Sequence, residues 1–232
     1  EISRKELLPP LKMAVSVVEQ RQTRPILGNI LVRVKDDTLH FTATDEEVEI
    51  TCSVPLEASL KAEEAEITIP RKIFDIVRSL PDNSDIQVTE EDNHILIKSG
   101  KSRFTLSTLP AEDFPASPQL EDGTEFHIAR NKFKELLHKT SFCVAVNDVR
   151  YYLMGLLLEI GDGKIFLVGT DGHRMAVAQQ DFASTQPVKV IIPRKAVVEL
   201  AKLLTDSSEE MKIVCDDNHI KFEISDTLTI SS

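Results

Sequence analysis

The sequence predicts an α+β fold made of two tandem copies of one unit, each with two helices packed on antiparallel sheets. Three observations predict it. Short segments recur in the same order along the chain, helix and strand patterns recur with them, and the strands are joined by hairpin turns.

The recurrence is read by sliding the chain against itself. Ile69-Pro70-Arg71-Lys72 returns as Ile192-Pro193-Arg194-Lys195, a shift of 123 residues. Asp92-Asn93-His94-Ile95 returns as Asp217-Asn218-His219-Ile220 at a shift of 125, and Thr44-Asp45 as Thr170-Asp171 at 126. Lys5-Glu6-Leu7-Leu8 matches Lys134-Glu135-Leu136-Leu137 at 129, a drift that small loop insertions explain.

Each copy opens with a helical pattern, over about 3 to 19 and 130 to 144. Strands follow at Ile30 to Val34, Leu39 to Ala43 and Glu47 to Val54, answered by Leu153 to Ile160, Ile165 to Thr170 and Met175 to Gln179. Asp36-Asp37 and Gly161-Asp162-Gly163 supply the hairpin turns. Strands ending at Pro70 and Pro193 lead into second helices, about 71 to 80 and 194 to 204, with Pro at the entrance where a missing N–H is harmless. The last strands are Asp85 to Glu90, His94 to Ser99 and Ser102 to Ser107, then Met211 to Cys215, His219 to Ile224 and Thr227 to Ile230. Ala111 to Thr124, rich in Pro, Asp and Glu, reads as the linker, so the domains are 1–120 and 121–232.

Composition narrows the class. With 41% hydrophobic and 28% charged residues the chain is globular, and no stretch reaches the roughly 18 apolar residues of a membrane span. No signal peptide opens it, so a cytoplasmic protein is expected. Cys52, Cys143 and Cys215 are odd in number and far apart, which argues against a disulfide framework or a zinc site and reads as buried or half-buried thiols.

A net charge of −11 counts against nucleic acid unless the charges are segregated. The four helical stretches, 53 residues, hold 13 Lys or Arg against five acids, so the helices carry +8 and the remainder −19. Lys72, Asp75 and Arg78, like Lys195, Glu199 and Lys202, fall on one helix face opposite an apolar one. Four helices biased alike predict a basic surface that binds phosphates without reading bases.

No catalytic motif accompanies it: G-x-S-x-G, the phosphate loop G-x-x-x-x-G-K-[ST], G-x-G-x-x-G and H-E-x-x-H are all missing from the sequence. No catalytic residue, metal or cofactor is expected. Thr170-Asp171-Gly172-His173-Arg174 gathers a carboxylate, an imidazole and a guanidinium, but without a nucleophile it reads as a polar turn. Beside Met175 and the apolar Tyr152-Leu153 it also reads as the edge of a groove for a peptide. Arg150, Tyr151 and Tyr152 suit a nucleic-acid backbone, or equally a capped core. His40, His94, His127, His138 and His219 lack metal-ligand spacing and read as structural.

Five segments carry a resemblance over all 232 residues: Arg24-Pro25-Ile26-Leu27-Gly28-Asn29, Ser102 through Pro110, Asp148 through Leu153, Thr170 through Arg174, and Pro193-Arg194-Lys195. The chain resembles the bacterial DNA polymerase III beta subunit family, the sliding clamps. The resemblance implies tandem DNA-clamp domains, the first two of three, with the third clamp domain absent from this chain. It implies a non-catalytic processivity factor: a head-to-tail homodimer ring around double-stranded DNA that tethers the DNA polymerase III alpha subunit. Clamp loader, other DNA polymerases and repair proteins would dock by short hydrophobic peptides.

Residue by residue, the resemblance implies DNA contacts from Arg21, Arg71, Asn147, Tyr151 and Tyr152, with Lys195 of the basic face beside them. Asn147 stands where the family often has Gln, a longer amide. The peptide cleft would use Leu153, Thr170, Gly172, His173, Arg174 and Met175. Phe104 and Leu106, with Lys101 and Arg103, match the face that meets a second subunit, and an apolar edge strand there fits a protein interface. Two other readings stay open at this level: an enzyme of nucleic-acid metabolism using Asp171 and His173, and a structural assembly protein with no DNA contact.

Overall fold

The computed structural model describes residues 1–18, 24–56, 64–117, 120, 123–184, 186–216 and 218–232. Two units divide the chain, Glu1–Ser117 and Pro118–Ser232. The first runs β1 (Ile2–Ser3), α1 (Arg4–Ala14), β2 (Asn29–Lys35), β3 (Thr38–Thr44), β4 (Glu49–Pro55), β5 (Ala65–Pro70), α2 (Lys72–Ser79), β6 (Asp85–Glu91), β7 (His94–Ser99) and β8 (Ser102–Ser107). The second runs β9 (Thr124–Ala129), α3 (Arg130–Thr140), β10 (Gly155–Gly161), β11 (Lys164–Thr170), β12 (Met175–Asp181), β13 (Val188–Pro193), α4 (Arg194–Leu203), β14 (Glu210–Cys215), β15 (Ile220–Ser225) and β16 (Leu228–Ser231).

Strand order repeats without change. Unit 1 has β5-β2-β3-β4 and β1-β6-β7-β8; unit 2 has β13-β10-β11-β12 and β9-β14-β15-β16, each pairing antiparallel. The duplication reaches single hydrogen bonds. Leu56 N donates to Asp37 O and Phe182 N to Gly163 O, both at 2.8 Å, while Arg71 N donates to Gly28 O and Arg194 N to Met154 O. Two-residue hairpins join β2 to β3 and β10 to β11, with φ of 49° and 52° at Asp36 and Asp37 and 50° and 74° at Asp162 and Gly163. Paired left-handed residues match the twist of the strands they connect.

The helices follow the spacing that buries one face. α1 buries Leu7, Leu11 and Ala14, and α3 buries Phe133, Leu136 and Leu137. Each fully buried side chain of this size stabilises by roughly 1.5–3 kcal/mol. Ser3 and Glu6 form a reciprocal capping box at the start of α1, Glu6 N donating to Ser3 Oγ at 3.2 Å. α1 nevertheless contains Pro9 and Pro10, which remove two helical N–H donors; tertiary burial outweighs the propensity.

Several expected boundaries shift. α1 stops at Ala14 rather than near 19, where Ser16 donates through both N and Oγ to Met13 O; residue 19 lies outside the described residues. α3 stops at Thr140, whose hydroxyl donates back to Leu136 O at 2.8 Å, and Ser141–Cys143 form a 3-10 turn. β10 starts at Gly155, not Leu153, because Tyr151–Leu153 is itself a 3-10 turn. The expected linker is not loop throughout: Phe114 is buried with Ile26, Leu27 and Leu31, and Thr124–Ala129 is strand β9.

The copies differ at one end of the core. In unit 2, Phe126 of β9 meets Phe182 edge to face, centroids 5.8 Å apart. Unit 1 has Leu56 at the position of Phe182, and β1 spans Ile2–Ser3 only. An apolar cavity of about 410 Å³ lies there, lined by Ile2, Val34, Phe41, Leu56, Ile86 and Val88 among others.

Candidate nucleic-acid and peptide interfaces

The basic helix face is smaller than charge counting suggests. Seven of its thirteen cations, Arg4, Lys72, Arg78, Arg130, Lys134, Lys139 and Lys202, are in ion pairs. The partners missed in the count, Asp82, Asp206 and Glu209, sit just beyond the helices. Arg4 is a brace: its side chain, 14% exposed, donates to Val77 O, Arg78 O and Asp82, closing the C-terminal end of α2. Arg130 begins α3 as Arg4 begins α1, and pairs with Glu209.

Lys5, Lys12, Arg71, Lys132 and Arg194 make no ion pair among the described residues, and Lys195 does have a partner. Arg71 and Arg194 occupy one position in the two copies, each just before or at the first turn of the second helix. Their amides carry the equivalent hydrogen bonds already described. Arg21 lies outside the described residues.

Asn147, Tyr151 and Tyr152 come together on one exposed segment of unit 2, with the tyrosine rings edge to face at 5.9 Å. Tyr151 is 78% exposed. Neither ring caps a core, which sets aside that one of the two readings of these tyrosines. Asp148 fixes the segment: Arg150 Nε donates to its Oδ1 at 2.9 Å, Nη2 to its Oδ2 at 2.8 Å, and Arg150 N to Oδ1 at 2.8 Å. The Arg150 side-chain bonds, with its amide, hold the Asp148 carboxyl down at about 2.

The turn after β11 is built the same way in both copies. Asp45 Oδ1 accepts from Glu47 N and Val48 N; Asp171 Oδ1 accepts from His173 N and Arg174 N, both at 3.0 Å. Glu46 and Gly172 are the left-handed residues, with φ of 72° and 84°. Backbone amides first, then the Arg174 side chain, lower the Asp171 carboxyl to about 2. Asp171 is thus occupied as the staple of the turn, which sets aside the reading of it as a catalytic group.

Arg174 reaches from this turn to Phe142 after α3, donating to its carbonyl at 2.9 Å with the guanidinium 5.7 Å from the ring centroid. Thr170 Oγ1 donates to Arg174 O at 2.8 Å. Met175, Val177 and Phe142 are exposed, Met175 to 66%, so an apolar strip runs on edge strand β12 beside the charged turn. Leu153 is the exception among the residues expected to line a peptide cleft: it is 8% exposed, and its carbonyl accepts from Ala145 N.

In unit 1, β8 is the end strand of its sheet. Phe104 and Leu106 are half-buried on one face, opposite Ile97 and Ile95, while Arg103 faces Lys98 across the ladder and Lys101 sits in the exposed hairpin. Like charges directly opposite are unfavourable in isolation. Among the described residues no group of three or more His, Cys, Asp or Glu is placed to hold a metal ion.

This pattern defines a class: a duplicated α+β binding module whose conspicuous polar residues hold turns. The family model of the DNA polymerase III beta subunit N-terminal domain matches residues 1–118, and that of its central domain matches 127–232. The chain is 46% identical over 223 residues to a beta sliding clamp of Pseudomonas aeruginosa, covering 95% of this chain and 60% of that protein. It is 39% identical over 232 residues to the beta sliding clamp of Escherichia coli, covering 99% and 63%. A crystal structure of the P. aeruginosa subunit aligns over the whole chain and 63% of that one, with TM-score 0.94 and 44% identity. A P. aeruginosa sliding clamp bound to griselimycin aligns with TM-score 0.93, over 100% and 63% at the same identity. The chain belongs to the DNA polymerase III beta subunit family, and it spans about 60% of the length of these relatives.

Proposed function

We propose that this chain is the two-domain portion of a DNA sliding clamp, a non-catalytic processivity factor that encircles duplex DNA as a head-to-tail homodimer ring when a third domain is present. Arg21, Arg71, Asn147, Tyr151, Tyr152 and Lys195 contact the duplex, and Arg194, the counterpart of Arg71, joins them. Thr170, Gly172, His173, Arg174 and Met175, over Leu153, form one wall of a cleft for short hydrophobic peptides. The DNA polymerase III alpha subunit, the clamp loader, and other DNA polymerases and repair proteins dock there by such peptides. Lys101, Arg103, Phe104 and Leu106 meet the second subunit.

The observation that carries the reading is the pair Arg71 and Arg194, one cation at one position in each copy with no ion pair among the described residues. A guanidinium kept free of acids in so acidic a chain suits a phosphate. The relative bound to griselimycin supports a ligand-binding surface on this fold. The test is anisotropy of a labelled duplex across a salt series. Replacing both arginines by alanine is expected to lower the slope of log affinity against log salt by about 2, one for each lost phosphate contact. An unchanged slope overturns the DNA-facing assignment.

A further inference from the structure

Two segments of unit 2 meet at Arg150. Its guanidinium, held flat by Asp148, lies against Gly172, where a methyl group would come within 3.0 Å of Nη2 and 3.1 Å of Nη1. Unit 1 has the same geometry in a different form. Arg24 stands where Arg150 stands, Glu46 where Gly172 stands, and these two form an ion pair directly. In unit 2 the acid has moved from the turn to Asp148, on the arginine's own segment. The turn is left without a side chain there, with the guanidinium seated on its backbone.

That segment continues into Tyr151 and Tyr152, and the turn continues into His173, Arg174 and Met175. A bidentate carboxylate–guanidinium pair is planar and directional, so it transmits displacement better than a single flexible contact. Arg150 thus touches the turn at Gly172 and directly precedes Tyr151.

We propose that Asp148 and Arg150 form a positioning latch that couples the tyrosine-bearing segment to the turn at Gly172, so that a peptide seated beside the turn is felt at Tyr151 and Tyr152. The latch rests on the reading of the turn as the wall of a peptide cleft. Reciprocity follows: a duplex held by the tyrosines changes peptide affinity by the same factor.

The chain contains two tyrosines and no tryptophan, so its tyrosine emission reports this segment alone. The probe is a short Leu- and Phe-containing peptide lacking Tyr and Trp, titrated into the 232-residue chain with binding followed independently by calorimetry. In the unmodified chain, binding is expected to change tyrosine emission. In Asp148→Asn and Arg150→Lys the peptide is expected to bind while the emission change is lost, Lys failing because one ammonium cannot replace the fork. Val149→Ala, at the exposed tip of the segment, keeps the change. Binding without an emission change in the unmodified chain, or a change that persists in both variants, overturns the latch and leaves the cleft standing. Absence of calorimetric binding overturns the latch, which needs a peptide seated on this wall alone. Loss of folding in both variants also overturns it, because a latch on an exposed turn sets coupling rather than stability.

Discussion

At the scale of single residues, the turn at Asp171 and the loop at Asp148 owe their shape to ionised carboxylates. Both carboxyls lie at about 2, below the usual value of 3.8, through hydrogen bonds that the charged form accepts. A pKa lowered on folding contributes stability that is present above the ordinary carboxylate range and is lost as pH falls through about 4 toward 2. Carboxyl-carbon NMR is therefore expected to give midpoints near 2 for both groups, with the protection factors of the His173 and Arg174 amides, taken against the intrinsic exchange rate at each pH, constant above pH 5 and falling below pH 4. Midpoints at the ordinary value would sink the staple. Gly169 makes a second case. A methyl there would lie 2.5 Å from Thr140 O, so Gly169→Ala is expected to destabilise by about 1–3 kcal/mol in denaturant titration. Ala43 fills the same position in unit 1, so the sequence pattern alone would call the change harmless.

At the scale of elements, most of the strands and all four helices were legible because alternation and the three-to-four spacing are local properties. Their ends were not. α1 and α3 stop where Ser16 and Thr140 hydroxyls take up helix carbonyls, a competition that short-range pattern does not weigh. β9 was hidden because Thr124–Ala129 follows an acidic, proline-rich stretch and its apolar residues Phe126 and Ile128 are only two. The hairpins give a prediction at this scale. Asp37 holds φ of 52° where unit 2 uses Gly163, so Asp37→Gly is expected to raise the melting temperature, with a gain of up to about 1 kcal/mol. A lower melting temperature would show that the aspartate side chain does more for the turn than its backbone angle costs.

For the whole molecule, the sum of charges misled in one respect and guided in another. Counting cations on helices predicted a broad basic surface, yet seven of the thirteen are in ion pairs, four with acids of their own helix and three with acids just beyond the helices. What survives is sparse, with the overall charge still −11. Under the proposed function, in which sparse arginines touch phosphates and no base edges, duplexes of unrelated sequence are expected to bind with equal affinity at a given salt concentration. Competition between two such duplexes is expected to show less than about a two-fold preference, well under the roughly 1–3 kcal/mol of one good base contact. A strong preference would mean that base edges are read.

Sequence by itself determined the duplication, the α+β class and the family, because ordered repeats, periodicity and distinctive motifs such as Thr170 through Arg174 are written along the chain. It also marked most residues of the proposed sites. Only the tertiary structure decided which charges are free. Arg4 and Arg71 look alike in sequence, yet one is enclosed against the carbonyls of α2 and the other is not. Likewise nothing local links Arg150 to Gly172, twenty-two residues apart. Charge pairing and close approach depend on distance in space, and the strand ladders of unit 2, not the order of its residues, bring those atoms together.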